Sequence, residues 1–264
     1  FLILELGNVC SLLSNELHIP LKDICEGKVN YDREGSLMWL TNNAGFFPNS
    51  LPEGKRFAHL ALEDASEIDI LGSYVQHEYY VRSYTEKAKK INLNGYYAPF
   101  LWKNPWTKEL EGKKVLVIHP FAETIKKQYE KRELLFENPD ILPEFKKLTV
   151  IKAVQSIAGN SSETGFKNWF EALDFMKNQM DQSDYEIALI GCGAYGMSLA
   201  AHAKRQGKIA VHMAGWTQML FGIYGNRWIE DQPEFKKYIN EYWTRPGIDE
   251  RPKNAEKVEG GCYW

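Results

Sequence analysis

The sequence has few cysteines, no long apolar run and almost no net charge. Its four cysteines, Cys10, Cys25, Cys192 and Cys262, form no CxxC pair, which argues against a zinc site or a disulfide scaffold and favours free thiols in a reducing cytoplasm. No apolar stretch approaches the roughly 18 residues that a transmembrane helix needs, so we predict no membrane span. A net charge of −3 provides no overall attraction to nucleic acid. We therefore expect a cytoplasmic protein that binds no nucleic acid.

The second half of the chain alternates apolar runs with amphipathic segments. Strands are predicted at 113–121, 146–154, 185–191 and 208–215, and helices at 122–136, 165–183 and 197–206. Short alternation of strand and helix is typical of a parallel sheet with crossover helices. The predicted fold class is therefore α/β: a Rossmann-like, mainly parallel sheet with helices on both faces.

The first half is less regular. "FLILELGN" (residues 1–8) predicts a short buried strand, followed by a helix over about 9–17, and the pattern of residues 56–75 predicts a helix that ends near Gly72. "NNAGFFP" (residues 42–48) predicts a loop, because Pro48 bars a helix there.

We interpret residues 1–264 as a single Rossmann-like domain in three parts. Residues 1–110 form an N-terminal half that carries a loop over the site, and residues 111–230 form the nucleotide-binding core. Residues 231–264 are predicted to be a C-terminal helix followed by an irregular arm.

A glycine pattern stands where a strand is predicted to turn into a helix. Gly191, Gly193 and Gly196 form a GxGxxG motif, and backbone N–H groups at such a helix start bind phosphates. The alternative is that the glycines only permit a tight turn and close packing. An NAD site needs an acidic residue after the next strand, whereas this chain has Val211-His212-Met213 there. Hydride transfer is therefore disfavoured.

Histidines occur at two other predicted strand ends. His119 closes the first strand of the core, with Thr124 near the first turn of the following helix, and His212 closes the last strand, followed by Gly215 and Gln218. Each histidine is a candidate to contact phosphate or to move a proton; the alternative is a hydrogen bond to a neighbouring loop. Because the carboxyl ends of parallel strands share one edge of a sheet, these groups are expected to converge on one crevice.

The stretch "IALIGCGAYGMSLAAHAKRQGKIAVHMAGWTQMLFGIYGNRW", with "VLVIHPFAETIKKQYEKRELLF", "NNAGFFP" and "AVQSIAG", resembles a group of bacterial and viral polysaccharide-biosynthesis proteins. More remotely, over the first strand, the glycine turn and the last strand, the chain resembles the GT-D fold glycosyltransferases. The resemblance implies a Rossmann-like sheet and a nucleotide-sugar donor.

The chain departs from the GT-D pattern at its acidic residues. The metal-binding Asp-x-Glu after the last strand is replaced by Thr217 and Met219, and an earlier acidic pair by Asn8 and Cys10. A divalent metal is possible as cofactor, but the motif that binds it is absent. Neutralisation of the diphosphate then falls to helix N-termini, histidines and cations such as Arg227.

From these residues we predict a glycosyltransferase that uses a nucleoside diphosphate sugar, most simply a UDP-sugar, and a glycan acceptor. The predicted catalytic residues are His119, His212 and Asp64. The predicted donor-binding residues are Asn43, Thr124, Gly191, Gly193, Tyr195, Gly196, Gly215, Gln218 and Arg227. Tyr195 or Trp216 would stack on base or sugar, under a loop formed by "NNAGFFP". The alternative is a non-catalytic nucleotide-sugar-binding or glycan-binding subunit of a polysaccharide assembly system.

Overall fold

A computed structural model describes residues 2–20, 33–73 and 76–264. Its helices are α1 (Leu2–Leu12), α2 (Arg33–Ala44), α3 (Leu51–Ala65), α4 (Asn94–Tyr97), α5 (Ala122–Tyr129), α6 (Arg132–Leu135), α7 (Trp169–Asp181), α8 (Tyr195–Arg205) and α9 (Trp216–Leu220). Its strands are β1 (Ile70–Ser73), β2 (Lys89–Asn92), β3 (Lys114–His119), β4 (Lys147–Lys152), β5 (Ile187–Ile190) and β6 (Ile209–His212). Within these ranges, no helix combines the length and apolar character that crossing a bilayer requires.

The main sheet has four strands in the order β4-β3-β5-β6, and all of its pairings are parallel. A second, two-stranded parallel sheet pairs β1 with β2. The α/β class and the parallel strands of the core are therefore as predicted. The four core strands lie within the segments that the apolar runs indicated, because runs of this length between turn residues leave few alternatives.

Both faces of the main sheet are buried, as the alternating side chains of β3 show. Leu116 and Ile118 belong to one apolar cluster, which also contains residues of α1, α2, α3, α7 and α8. Val115 and Val117 belong to the other, with residues of α5, α6, α9 and the C-terminal segment. A strand covered on both sides reads as a continuous apolar run, because neither of its faces meets water.

Helix α7 illustrates how the sequence pattern sets the packing. Asn168 is its N-cap and accepts a hydrogen bond from the Glu171 N–H (2.9 Å), as short polar residues do at this position. Trp169, Leu173 and Met176 recur at helical spacing, and each is at most 1% exposed. The predicted helix over 165–183 is therefore confirmed, shortened to Trp169–Asp181.

Three predictions of local structure were wrong. Residues 2–8 of the "FLILELGN" stretch are part of α1, not a strand, because a short apolar run fits either element and Val9 and Leu12 pack at helical spacing into the first cluster; Phe1 lies outside the described residues. The helix predicted over 56–75 ends at Ala65, and Gly72 lies in β1, where a Cβ would meet Leu93 and Tyr96 (2.7 Å each).

The third correction concerns the C-terminal segment. Residues 231–264 contain short 3₁₀ turns instead of the predicted helix. The segment's Phe235, Trp243 and Val258 are buried in the second apolar cluster, so contacts with distant residues determine its path. The helix predicted over 122–136 is also interrupted, between α5 and α6.

A buried ion pair joins α3 to α8. The Asp64 carboxylate is 1% exposed; it accepts hydrogen bonds from Arg205 Nη1 (2.7 Å) and Ser198 Oγ (2.6 Å). Removing one partner of such a pair leaves an uncompensated buried charge.

We predict that Arg205→Met lowers the free energy of unfolding by about 3 kcal/mol, at the low end for a buried pair because Arg205 is partly exposed. Urea denaturation measures this change. Lys126→Met, which breaks the exposed Lys126–Glu123 pair, is the control and should change the stability by less than about 1 kcal/mol. Equal effects of the two substitutions would contradict the structural role of the Asp64–Arg205 pair.

Candidate functional site

A cleft opens where the strand order of the main sheet reverses. β3 and β5 are neighbours, and the chain proceeds outward from them to β4 on one side and β6 on the other. The loops that follow β3 and β5 therefore leave in opposite directions, which opens a crevice at the carboxyl ends of these strands. The cleft contains about 570 Å³ of empty space, open solvent included.

Six parts of the chain line the cleft: residues 43–45, 119–121 and 154–157, the turn after β5, Gly215 with Gln218, and Tyr263 with Trp264. In the described part of the chain, no Asp, Glu, Lys or Arg lines it. Nor does any group of three or more His, Cys, Asp or Glu residues that could hold a metal occur among the described residues. The cleft is thus an uncharged cavity with polar groups set in apolar walls.

His119 lies on the floor of the cleft and is neutral. Its Nδ1 accepts a hydrogen bond from the Phe121 N–H (3.0 Å), which places the proton of the neutral imidazole on Nε2. Burial lowers the pKa of His119 to about 3. At neutral pH, His119 therefore offers the cleft a hydrogen-bond donor and neither a positive charge nor a free base.

Three further side chains that line the cleft carry buried polar atoms without a hydrogen-bond partner among the described residues: Gln155 Nε2, Gln218 Oε1 and Trp264 Nε1. Gln218 is 1% exposed and Trp264 is 6% exposed. A buried polar group left unpaired costs about 1–3 kcal/mol, so a ligand with matching groups would recover that free energy. Sequence patterns singled out neither Gln155 nor Trp264.

Three amides at the glycine turn donate to acceptors within the protein itself. The N–H groups of Gly191, Ala194 and Gly196 donate to Ile118 O (3.0 Å), Ala44 O (2.9 Å) and Gly193 O (3.1 Å). These amides are not the open donors that a diphosphate on this turn requires. Gly191 and Gly193 do line the cleft.

The glycines are instead explained by close packing. A Cβ at Gly191 would lie 2.6 Å from Thr217 Oγ1 and 2.8 Å from His119 Cδ2, and one at Gly193 would lie 2.6 Å from Ala44 O. A Cβ at Gly196 would overlap the His212 ring. The alternative interpretation of the motif, a tight turn with close helix–strand packing, therefore accounts for all three positions.

His212 lies behind the turn and does not line the cleft. It is partly buried, its Nδ1–H donates to Ile190 O (3.2 Å), and burial lowers its pKa to about 4. The sequence predicts that His212 and His119 converge on one ligand. The structure does not bring them together there.

Neither aromatic residue proposed for stacking presents a free face to the cleft. Tyr195 lines it, but the ring is 1% exposed and stacks on Trp169 at 5.1 Å. Its hydroxyl donates to Ser156 Oγ (3.1 Å), which in turn donates to Gly45 O (2.5 Å); burial raises the pKa of Tyr195. Trp216 does not line the cleft and packs on Tyr97 (4.1 Å).

Thr124 and the N-terminus of α5 bind a carboxylate of the chain itself. Glu250 accepts hydrogen bonds from the N–H groups of Glu123 (2.8 Å) and Thr124 (3.3 Å) and from the Thr124 hydroxyl. Glu250 is 6% exposed. An internal anion therefore occupies the helix terminus that the sequence offered to a phosphate.

The charged residues predicted for the site lie outside the cleft. Arg227 pairs with Glu259, and its Nη1 donates to the Tyr263 hydroxyl (3.0 Å), so it holds a wall of the cleft instead of facing a ligand. Asp64 lies between α3 and α8; burial raises its pKa, and the hydrogen bonds from Ser198 and Arg205 oppose that shift.

Of the residues 42–48, which the sequence predicts as a loop, residues 42–44 form the end of α2, and only 43–45 reach the cleft. Asn43 lines it, and its Oδ1 accepts from Asn42 Nδ2 (2.5 Å). Phe46 and Phe47 are buried in the first apolar cluster, so this segment is not the expected loop over a donor. The predicted residues that the cleft does bring together are Asn43, His119, Gly191, Gly193, Tyr195, Gly215 and Gln218.

The lowered pKa values of His119 and His212 predict that the protein loses stability in acid. In the unfolded chain each binds a proton near pH 6.5, but in the folded protein only near pH 3 for His119 and pH 4 for His212. The unfolded state therefore holds more protons between these values, and the free energy of unfolding decreases as the pH falls. We expect a loss of about 2 kcal/mol per histidine between pH 7 and pH 5.

Urea denaturation at both pH values measures this loss. His119→Asn should remove its share while retaining an acceptor for the Phe121 N–H. The unsubstituted protein, measured at the same two pH values, is the reference. A pH dependence that His119→Asn does not reduce would show that His119 is not held neutral.

Comparisons with known proteins identify no relative: no family model, no curated protein and no solved structure matches the chain. The function of the cleft is therefore argued from its own residues.

Proposed function

We propose that the cleft binds a nucleoside diphosphate sugar and that the protein is a glycosyltransferase, with a surface glycan or its precursor as acceptor. The observation that carries the proposal is an uncharged cleft at the reversal of the strand order. Three side chains that line it have neutral polar atoms without a hydrogen-bond partner in the described part of the chain. Open α/β sheets bind ligands at this position. We further propose that the four-stranded sheet is Rossmann-like, for which its parallel order β4-β3-β5-β6 is the support.

In this proposal His119 has an electrostatic role. Transfer breaks the bond between the anomeric carbon and a diphosphate oxygen, so negative charge develops on the leaving group as the acceptor hydroxyl attacks. A neutral imidazole fixed by the Phe121 N–H offers Nε2–H, without reorganisation, to the ester oxygen between the sugar and the diphosphate, on which this charge first develops. The proton of the acceptor hydroxyl passes to the departing diphosphate.

The residues of the cleft do not fit the divalent metal ion that the GT-D enzymes bind. Thr217 and Met219 are completely buried in α9, and no carboxylate of the described chain lines the cleft. We therefore assign no step to a metal, and the proposed stabilisation of the leaving group rests on neutral donors.

The same observation favours a second candidate, a non-catalytic subunit that binds nucleotide sugars or glycans in a polysaccharide assembly system. An inverting transfer needs a base for the acceptor hydroxyl. His119 carries its proton on Nε2, and its Nδ1 is already paired. A binding protein needs no such base.

Calorimetry with UDP-, GDP- and TDP-sugars tests the proposal, and we expect at least one donor to bind. His119→Asn should then lower the kcat of nucleotide release about 100-fold, the typical effect of losing one transition-state donor, with little change in KM. His59→Asn is the matched control and should retain full activity. If no nucleotide sugar binds, both candidates fail; binding without turnover, with or without manganese, favours the binding subunit.

A further inference from the structure

We infer that the cleft receives an uncharged part of its ligand, one that both donates and accepts hydrogen bonds, and that the charged phosphate oxygens of a nucleotide sugar lie outside it. This inference rests on the proposed function and specifies which part of the donor the cleft recognises. It follows from the donor or acceptor character of the unpaired groups, from the absence of charge on the described lining residues and from the binding of Glu250 at the start of α5.

Gln218 requires that the ligand bring a donor. Its Nε2 donates to Tyr263 O (3.2 Å) and Ile223 O (3.4 Å). Because both partners are carbonyl oxygens, the amide cannot be turned over, and Oε1 is fixed as the unpaired atom. A phosphate oxygen beside Oε1 would bring two acceptors together, whereas a hydroxyl or an N–H would pair with it.

The other open groups require that the same ligand also accept. Trp264 Nε1 and Gln155 Nε2 are donors without partners in the described chain, and His119 adds its Nε2–H. A sugar hydroxyl both donates and accepts. The amide edge of a pyrimidine base has the same property, so glycosyl and nucleobase groups are two sources of one chemistry.

A diphosphate in the cleft would have no charged side chain beside it to offset its own charge. No described lining residue carries a charge, and burying an ionised group without a partner is far more costly than burying a paired neutral one. At the helix starts beside the cleft, that of α5 binds the Glu250 carboxylate, and the Ala194 N–H before α8 donates to the Ala44 carbonyl. The charged phosphate oxygens therefore remain beyond the lining residues, toward solvent, and only the uncharged ester oxygen next to the sugar reaches His119.

The indole N–H resonances of the eight tryptophans provide a direct test. Trp264 and Trp228 both carry a buried, unpaired Nε1, but only Trp264 lines the cleft. Their signals are assigned in ¹⁵N spectra by comparison with Trp264→Phe and Trp228→Phe. The probes are the nucleotide sugar found by calorimetry, its free monosaccharide, its nucleoside and inorganic pyrophosphate.

We expect the nucleotide sugar, and either the monosaccharide or the nucleoside, to shift the Trp264 signal and leave the Trp228 signal in place. Pyrophosphate should shift neither. Trp264→Phe should weaken binding of the nucleotide sugar about fivefold, the effect of one neutral hydrogen bond, and Trp228→Phe should not. The responding fragment identifies the glycosyl group or the base as the occupant.

The outcomes separate this inference from the proposed function. If the nucleotide sugar binds but pyrophosphate alone shifts Trp264 and displaces it, the inference fails and the proposed function stands. If no nucleotide sugar binds while a monosaccharide or nucleoside from the donor panel shifts Trp264, the inference about the cleft stands and the proposed donor is wrong. If no probe shifts Trp264 in the folded protein, both are overturned.

Discussion

The arrangement of the cleft depends on a close approach at the end of β5, where Gly191 leaves no room for a side chain. A Cβ there would collide with Thr217 and His119 and with the carbonyl of Ala214. Three elements therefore meet around one backbone atom: the end of β3, the end of β5 and the start of α9. They are far apart in the sequence. The imidazole of His119, which lines the cleft, therefore packs directly against the backbone of Gly191.

Close packing at this point also explains why a phosphate-binding motif has a different role here. Backbone N–H groups at a helix start attract whichever acceptor lies within reach. In this protein the acceptors are Ala44 O at the turn before α8 and the Glu250 carboxylate at α5. The motif retains its glycine spacing, but the chain itself supplies hydrogen-bond acceptors to these amides. The polar groups left for a ligand are neutral side chains of other segments.

The four core strands and α7 were predictable because their apolar patterns are long, regular and bounded by turn residues. α1 was not, since a few apolar residues before a glycine suit a strand as well as a helix, and the contacts of Val9 and Leu12 determine the outcome. The sequence around Gly72 was also ambiguous, since a glycine there suits the end of a helix as well as a strand. Its need for space beside Tyr96 arises from residues more than twenty positions away.

The candidate site was predictable only where it follows strand ends. His119, Gly191 and Gln218 could be placed at one edge of the sheet from the alternation of strands and helices. Trp264 and Gln155 could not, because no periodicity connects an irregular segment to a distant loop. Hydrogen bonds bring that segment into place, from Asn42 Nδ2 to Lys257 O (2.9 Å) and from Arg245 Nη1 to Trp264 O (2.7 Å). The Asn42–Lys257 bond joins residues 215 positions apart. Closing a loop of this length has an entropic cost that contacts elsewhere in the folded core must offset, so the last wall of the cleft is held in place only while the rest of the fold is intact.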